Sequence, residues 1–363
     1  MKILFGVQTT GNGHIARAKE IISILTKRAE VDVIFSGPKA NKISFKHPIK
    51  KHYRGLTFFY TKKGKIHWVK TLLKNNFLKL FIDIFECDVH SYDLILNDFE
   101  PITAWSSYLK NKKCIALSNQ FSLLSDKGPK LNKRFKTSLR ILRYFAPAQS
   151  GYGFHFKKFD TNIFLPIIRK EIRKLKVNDL GHYLVYLPSY NRDEIKKVLI
   201  TFPSIKWFVF SQEFETPKLE KNIYWETINE NTFSKCLASC KGVITAAGFS
   251  TLSEALYLKK PVLTIPIGSH IEQIYNAKMI REMGGIVIKR LSIKHRKQIQ
   301  NWIKNPKVIP IKLNQKNYEV VDRILIDYIK SKAESKYNSY QNWRELLFSQ
   351  PDFFGKHGGC SSV

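Results

Sequence analysis

Residues 242–277 read GVITAAGFSTLSEALYLKKPVLTIPIGSHIEQIYNA, and the order of residue types in this stretch decides the fold. The β-branched run 242–245 predicts a buried strand, Ala247-Gly248 a turn, and the residues from Phe249 onward a helix. A second apolar strand follows at 261–265, then a loop at 266–269 and another helical stretch from His270. Gly248 lets a phosphate approach backbone amides at the helix start, and Ser250 and Thr251 add hydroxyl donors. Glu254 falls one turn later, where a carboxylate can accept both hydroxyls of a ribose. An ordinary helix cap by Ser250 or Thr251, with Glu254 solvated, fits the same letters. Glu272 and Asn276 share a helix face with Gln273 beside them, an arrangement that suits sugar hydroxyls or a plain polar surface.

The same alternation runs through the rest of the chain. Residues 2–7 (KILFGV), a helix at 15–27 and residues 31–36 (VDVIFS) form a βαβ unit. Strands at 93–97 and 113–117 bracket a helix at 101–109, and strands at 183–187, 206–210 and 222–225 precede the opening stretch. The expected fold is α/β, with two Rossmann-like doubly wound domains facing each other across a cleft. Their expected limits are 1–164 and 165–325, followed by a helix and tail over 326–363, the tail beyond 350 being poorly ordered. Three further strand ends carry candidate residues. The first strand runs into Thr10-Gly11-Asn12-Gly13-His14, small residues and a titratable group at a helix start. Asp98 closes an apolar strand just before Pro101, where an Asp is also an ordinary cap, and Ser189 lies in the turn after 183–187.

These elements, in this order across two α/β halves, resemble the GT-B glycosyltransferases, and within them the family 28 relatives of the bacterial N-acetylglucosaminyltransferase that forms lipid II. The specific part is 242–277, with the first loop in support. The resemblance implies an N-terminal acceptor domain and a C-terminal domain that binds a nucleotide-sugar, a UDP-sugar being the first expectation. Gly248, Thr251 and Glu254 would hold phosphate and ribose, with Ser250 beside them, and Glu272, Gln273 and Asn276 the donor sugar. Gly11, Gly13 and Ser189 are further substrate contacts. The first loop reads TGNGH where the family usually has GTGGH, and Arg17 stands where the lipid II enzyme tends to have Pro. No DxD occurs, which fits metal-independent inverting displacement with no cofactor. His14 is the first candidate for the general base, and Asp98 the second, as base or as the group that orients the imidazole.

The 363 residues carry 61 Lys and Arg against 29 Asp and Glu, a net charge of +32, while 44% of residues are apolar, which excludes a disordered polybasic tail. Residues 39–79 hold 12 of the basic residues and no acidic one, interleaved with Trp68, Leu72, Leu73 and Phe77 and running on to Phe81. Such a region fits an anionic membrane surface, and with it a lipid-linked or cell-envelope acceptor. A solvated surface in a Lys-rich proteome fits the charge as well. Five cysteines without a CxxC pair argue for reduced thiols and against a zinc site. No run approaches about 18 uninterrupted apolar residues, and the N-terminus lacks an export signal, so a cytoplasmic protein peripheral on the membrane is expected. The alternatives are an epimerase or hydrolase on the same fold and a basic nucleic-acid-binding protein, although no nucleic-acid module is legible.

Overall fold

A computed structural model describes residues 1–348 apart from Lys39, Ser44 and 62–65. The first sheet contains β1 (Lys2–Gln8), β2 (Glu30–Ser36), β3 (Ile49–Tyr53), β4 (Leu94–Asp98), β5 (Cys114–Ser118), β6 (Ser150–Phe154) and β7 (Ile163–Phe164). Its order is β3-β2-β1-β4-β5-β6-β7 and every pair is parallel. The second sheet contains β8 (His182–Tyr186), β9 (Lys206–Ser211), β10 (Lys218–Glu220), β11 (Ile223–Thr227), β12 (Gly242–Thr245), β13 (Val262–Thr264) and β14 (Ile286–Val287). Its order is β10-β11-β9-β8-β12-β13-β14, parallel except for the β10–β11 hairpin at one edge.

Both sheets therefore have the doubly wound order, and each reverses direction at one point, between β1 and β4 and between β8 and β12. Crevices at such points, outside the carboxyl ends of the strands, are where open α/β sheets bind ligands. The central strands are apolar on both faces because helices cover both, and β4 and β5 are buried along their whole length. Strand β3 (IKKHY) gave no apolar signal, since it sits at the sheet edge and only its last residue is buried.

Both sheets lie in one compact unit, residues 1–317, and the described residues from Tyr318 onward belong to a second unit. The helix expected within 326–363 belongs to a longer one that starts earlier, Asn317–Phe348. Cys87, Cys114, Cys236 and Cys240 are buried and unbridged, while Cys360 and the tail beyond 350 lie outside the described residues. Among the described residues no helix is long and apolar enough to cross a membrane.

Gly6, in the middle of β1, is required by packing. A Cβ there would stand 2.1 Å from Thr103 Oγ1 and 2.9 Å from Glu100 Oε2, on the helix that follows β4. Gly6→Ala is expected to cost about 1–3 kcal/mol of stability, seen as a lower urea midpoint at unchanged slope. An unchanged midpoint would mean that the helix gives way freely.

Candidate functional site

The chain leaves β1 through Thr9 and turns into the helix Asn12–Leu25, whose cap residue, Gly11, is extended and gives no side-chain cap. His14 and Arg17 are one turn apart on that helix, so they share a face. Both reach Asp98 at the end of β4. His14 Nδ1 lies 2.7 Å from Asp98 Oδ1, Arg17 Nε donates to Asp98 Oδ2 at 2.9 Å, and Arg17 Nη2 donates to Asp98 Oδ1 and stands 3.1 Å from His14 Nδ1. Arg17 Nη1 donates to Asn119 Oδ1 at 3.0 Å. Asp98 is fully buried. Burial alone would raise its carboxyl pKa, but the Arg17 charge and His14 outweigh it and hold the group below the usual carboxylate range.

Asp98 does not cap the next helix. Glu100 does, accepting from the Ile102 and Thr103 amides at 2.7 Å each, which leaves Asp98 free to face His14 and Arg17. Between them Phe99 adopts φ +56°, a conformation costly for a bulky side chain. That backbone stacks its ring on the His14 side, with centroids 6.4 Å apart. On the far edge of the imidazole, Gln120 Nε2 lies 3.3 Å from His14 Nε2. A carboxylate at Nδ1 and an amide donor at Nε2 put the proton on Nδ1 and the lone pair on Nε2.

The second sheet brings its own loops to the same place. The helix Phe249–Tyr257 is capped by Gly248 without a side-chain bond, so neither Ser250 nor Thr251 is a cap and the first-turn amides stay available. A Cβ on Gly248 would meet nothing within 4 Å, whereas one on Gly13 would stand 2.5 Å from Ser250 Oγ. The first loop thus abuts the start of this helix. Ser189 is exposed in the turn after β8, the strand next to β12.

Glu254 departs from expectation. It is 7% exposed, and Arg169, from the segment joining the two sheets, donates Nε to Oε1 at 2.6 Å and Nη2 to Oε2 at 2.9 Å. Glu230 also pairs with Arg169. Both carboxylate oxygens are therefore engaged, because Arg169 is a planar fork that matches them. Burial raises the Glu254 pKa and Arg169 opposes the rise.

The helix Ile271–Glu282 places its three candidates differently. Glu272 is half-buried and its Oε2 accepts from Gln120 Nε2 at 3.0 Å, so the polar chain Asp98–His14–Gln120–Glu272 crosses from one sheet's loops to the other's. Gln273 Oε1 accepts from the Ile267 amide at 2.9 Å and shapes the loop before the helix. Asn276 is buried, not open to a ligand as the shared face suggested: its Nδ2 donates to Ala247 O at 2.9 Å, tying the helix to the Gly248 turn. Tyr60 of the first half lies over His270, ring centroids 5.0 Å apart.

The partners Arg17, Gln120 and Arg169 carried no motif. Asn119-Gln120 follow strand β5, and a list of polar residues at every strand end would have raised them. Among the described residues no group of three His, Cys, Asp or Glu has the arrangement of a metal site.

Two facing Rossmann-type sheets with this crevice define a GT-B glycosyltransferase fold, and solved structures share it. The spinosyn forosaminyltransferase SpnP superposes with a TM-score of 0.61 at 12% identity, over 91% of this chain and 99% of that one. The calicheamicin glycosyltransferase CalG4 gives 0.53 at 14%, over 94% and 98%. Arabidopsis thaliana UGT89C1, complexed with UDP, gives 0.54 at 12%, over 90% and 99%. Residues 1–306 match the model for glycosyl transferase family 1, and the chain belongs to that family. It is a glycosyltransferase. No curated protein matches the chain in sequence.

Proposed function

We propose that this enzyme moves a sugar from a UDP-sugar to a hydroxyl of a lipid-linked or cell-envelope acceptor, at the cytoplasmic surface of the membrane, by metal-independent inverting displacement. The observation that carries the reading is the His14–Asp98 pair standing beside the uncapped helix start at Gly248, with Glu272 joined to it through Gln120. In this reading residues 1–164 hold the acceptor and 165–325 the donor. His14 Nε2 takes the acceptor proton while the oxygen attacks the anomeric carbon, and Asp98 stabilises the imidazolium that forms. The diphosphate leaves toward the first-turn amides of Phe249–Tyr257, where the helix dipole favours the charge. Gly11, Gly13 and Gly248 keep room for it, and Ser189, Ser250 and Thr251 add hydroxyls. Glu272 and Gln273 reach the sugar, and Asn276 supports them by holding the Gly248 turn. A ribose at this helix takes one Glu254 oxygen in exchange for Arg169. The UDP complex of the Arabidopsis neighbour supports the choice of base.

The test is incubation of labelled UDP-glucose and UDP-N-acetylglucosamine with a membrane lipid extract in EDTA. The expected product is a glycolipid formed only with lipid present, its anomeric configuration opposite to the donor's by NMR. Retained configuration, dependence on added metal, or release of free or epimerised sugar without acceptor would refute the proposal.

A further inference from the structure

The helices Trp68–Lys74 and Phe77–Glu86 are oriented against the usual rule. Leu78, Phe81, Ile82 and Phe85 recur at i, i+3, i+4 and i+7, the spacing of a core-facing stripe, yet all four point to solvent, Phe85 being 64% exposed. Asp83 takes the buried side instead, paired with Lys79 at 3.0 Å. On the preceding helix Trp68, Val69, Leu72 and Leu73 are exposed as well, Leu73 by 79%. Eight apolar side chains on two successive helices make a patch that a freely soluble surface rarely carries. Around them the exposed charge is mainly basic: Lys70, Lys74 and Lys79 are exposed on the same helices, against Glu86, which is paired with Lys51 at 3.8 Å.

This face leads to the active site. Trp68 contacts Phe58 (ring centroids 6.5 Å apart), Phe58 contacts Phe145 (5.0 Å), Phe145 stacks on Phe99 (4.6 Å), and Phe99 stacks on the His14 side (6.4 Å). Phe58 and Phe99 are half-buried, so the track is open along part of its length.

Resting on the glycosyl-transfer reading above, we infer that this two-helix face seats the enzyme on an anionic phospholipid bilayer, and that the aromatic track takes the apolar part of a membrane-borne acceptor from the face to His14. Apolar side chains entering the headgroup boundary with lysines beside them match an acidic leaflet in both hydrophobicity and sign. Phe99 then has a reason for its strained backbone, since the ring that ends the track also flanks the candidate base.

Flotation of the full chain with vesicles tests the face. Phosphatidylcholine vesicles containing phosphatidylglycerol are expected to bind it at low salt, pure phosphatidylcholine much less, and rising salt to weaken the former. The double variant Phe81→Ser, Phe85→Ser is expected to lose about 10-fold or more of that binding, with UDP affinity by calorimetry unchanged. Equal flotation on neutral vesicles, or none, overturns the inference, as does a dimer seen by sedimentation that the same substitutions dissolve. For the track, decyl β-glucoside below its micelle threshold is expected to bind where methyl β-glucoside does not, and Phe58→Ala to weaken it about 10-fold; equal binding of the two glucosides overturns that part. A chain that binds UDP but not vesicles removes the docking alone, whereas one that floats but binds no nucleotide removes the glycosyl-transfer reading alone.

Discussion

His14→Ala is expected to lower turnover by about 10²- to 10⁴-fold while leaving UDP affinity nearly unchanged. The reason lies in the two sides of the ring. Nδ1 faces a buried carboxylate at 2.7 Å, and Nε2 faces the crevice beside Gln120. When Nε2 takes a proton, the new charge stands against Asp98, whose ionised form Arg17 already maintains. Asp98→Asn keeps the shape and removes that charge, so it should reproduce much of the loss, and the double variant should be little worse than His14→Ala because the two act as a unit. Single-turnover rates with calorimetric UDP binding separate the outcomes. Near-normal turnover takes the base role from His14, and equal losses in turnover and UDP affinity make it a phosphate contact instead.

Arg169→Ala should be the most destabilising change at a site that no motif marks. It removes the guanidinium that engages both oxygens of Glu254 and leaves that carboxylate buried and uncompensated. Breaking a pair of this kind costs about 3–5 kcal/mol at neutral pH. The pH dependence carries a sign that a simple packing loss lacks. The folded-state pKa of Glu254 is already above its ordinary value, because burial outweighs Arg169. Without Arg169 it rises further, so the variant's folded state keeps the proton over a wider range, and the defect relative to the parent grows as pH rises from the parent's folded-state value toward the variant's and shrinks as pH falls. Urea unfolding at pH 7 and pH 5 should show the deficit narrowing at the lower pH, and Glu254→Gln in the same chain should restore much of it. A deficit that is equal at both pH values would assign the loss to packing of the Arg169 stem. Glu254→Gln alone, read by UDP calorimetry, then reports whether the carboxylate also serves the donor.

The strand ends were the legible part of the site. Asp98 ends a strand, Gly11 and Gly248 lie in the turns that follow strands, and His14 and Glu272 open the helices after such turns; in α/β sheets the carboxyl ends of strands are where side chains meet ligands. Identity of the partner was not legible. Glu254 looked free for a ribose because its neighbours in sequence leave it so, while its actual partner, Arg169, is 85 positions away. Asp98 looked like a helix cap, and only the Glu100 carboxylate on the Ile102 and Thr103 amides shows which acid does that work.

By itself the sequence determined two doubly wound sheets, since apolar runs of strand length, helical spacing and glycine at the turns are local signals with fixed periods of 2.0 and 3.6 residues. It determined the candidate loops for the same reason. Tertiary structure alone decided which polar groups pair, joining Gln120 to Glu272 across 152 positions and turning Asn276 inward onto Ala247. It also decided which way an amphipathic helix faces. Periodicity shows that Leu78, Phe81, Ile82 and Phe85 share one side, but a period has no direction, and here the neighbouring elements bury Asp83 and Ile84 and leave the apolar stripe outside.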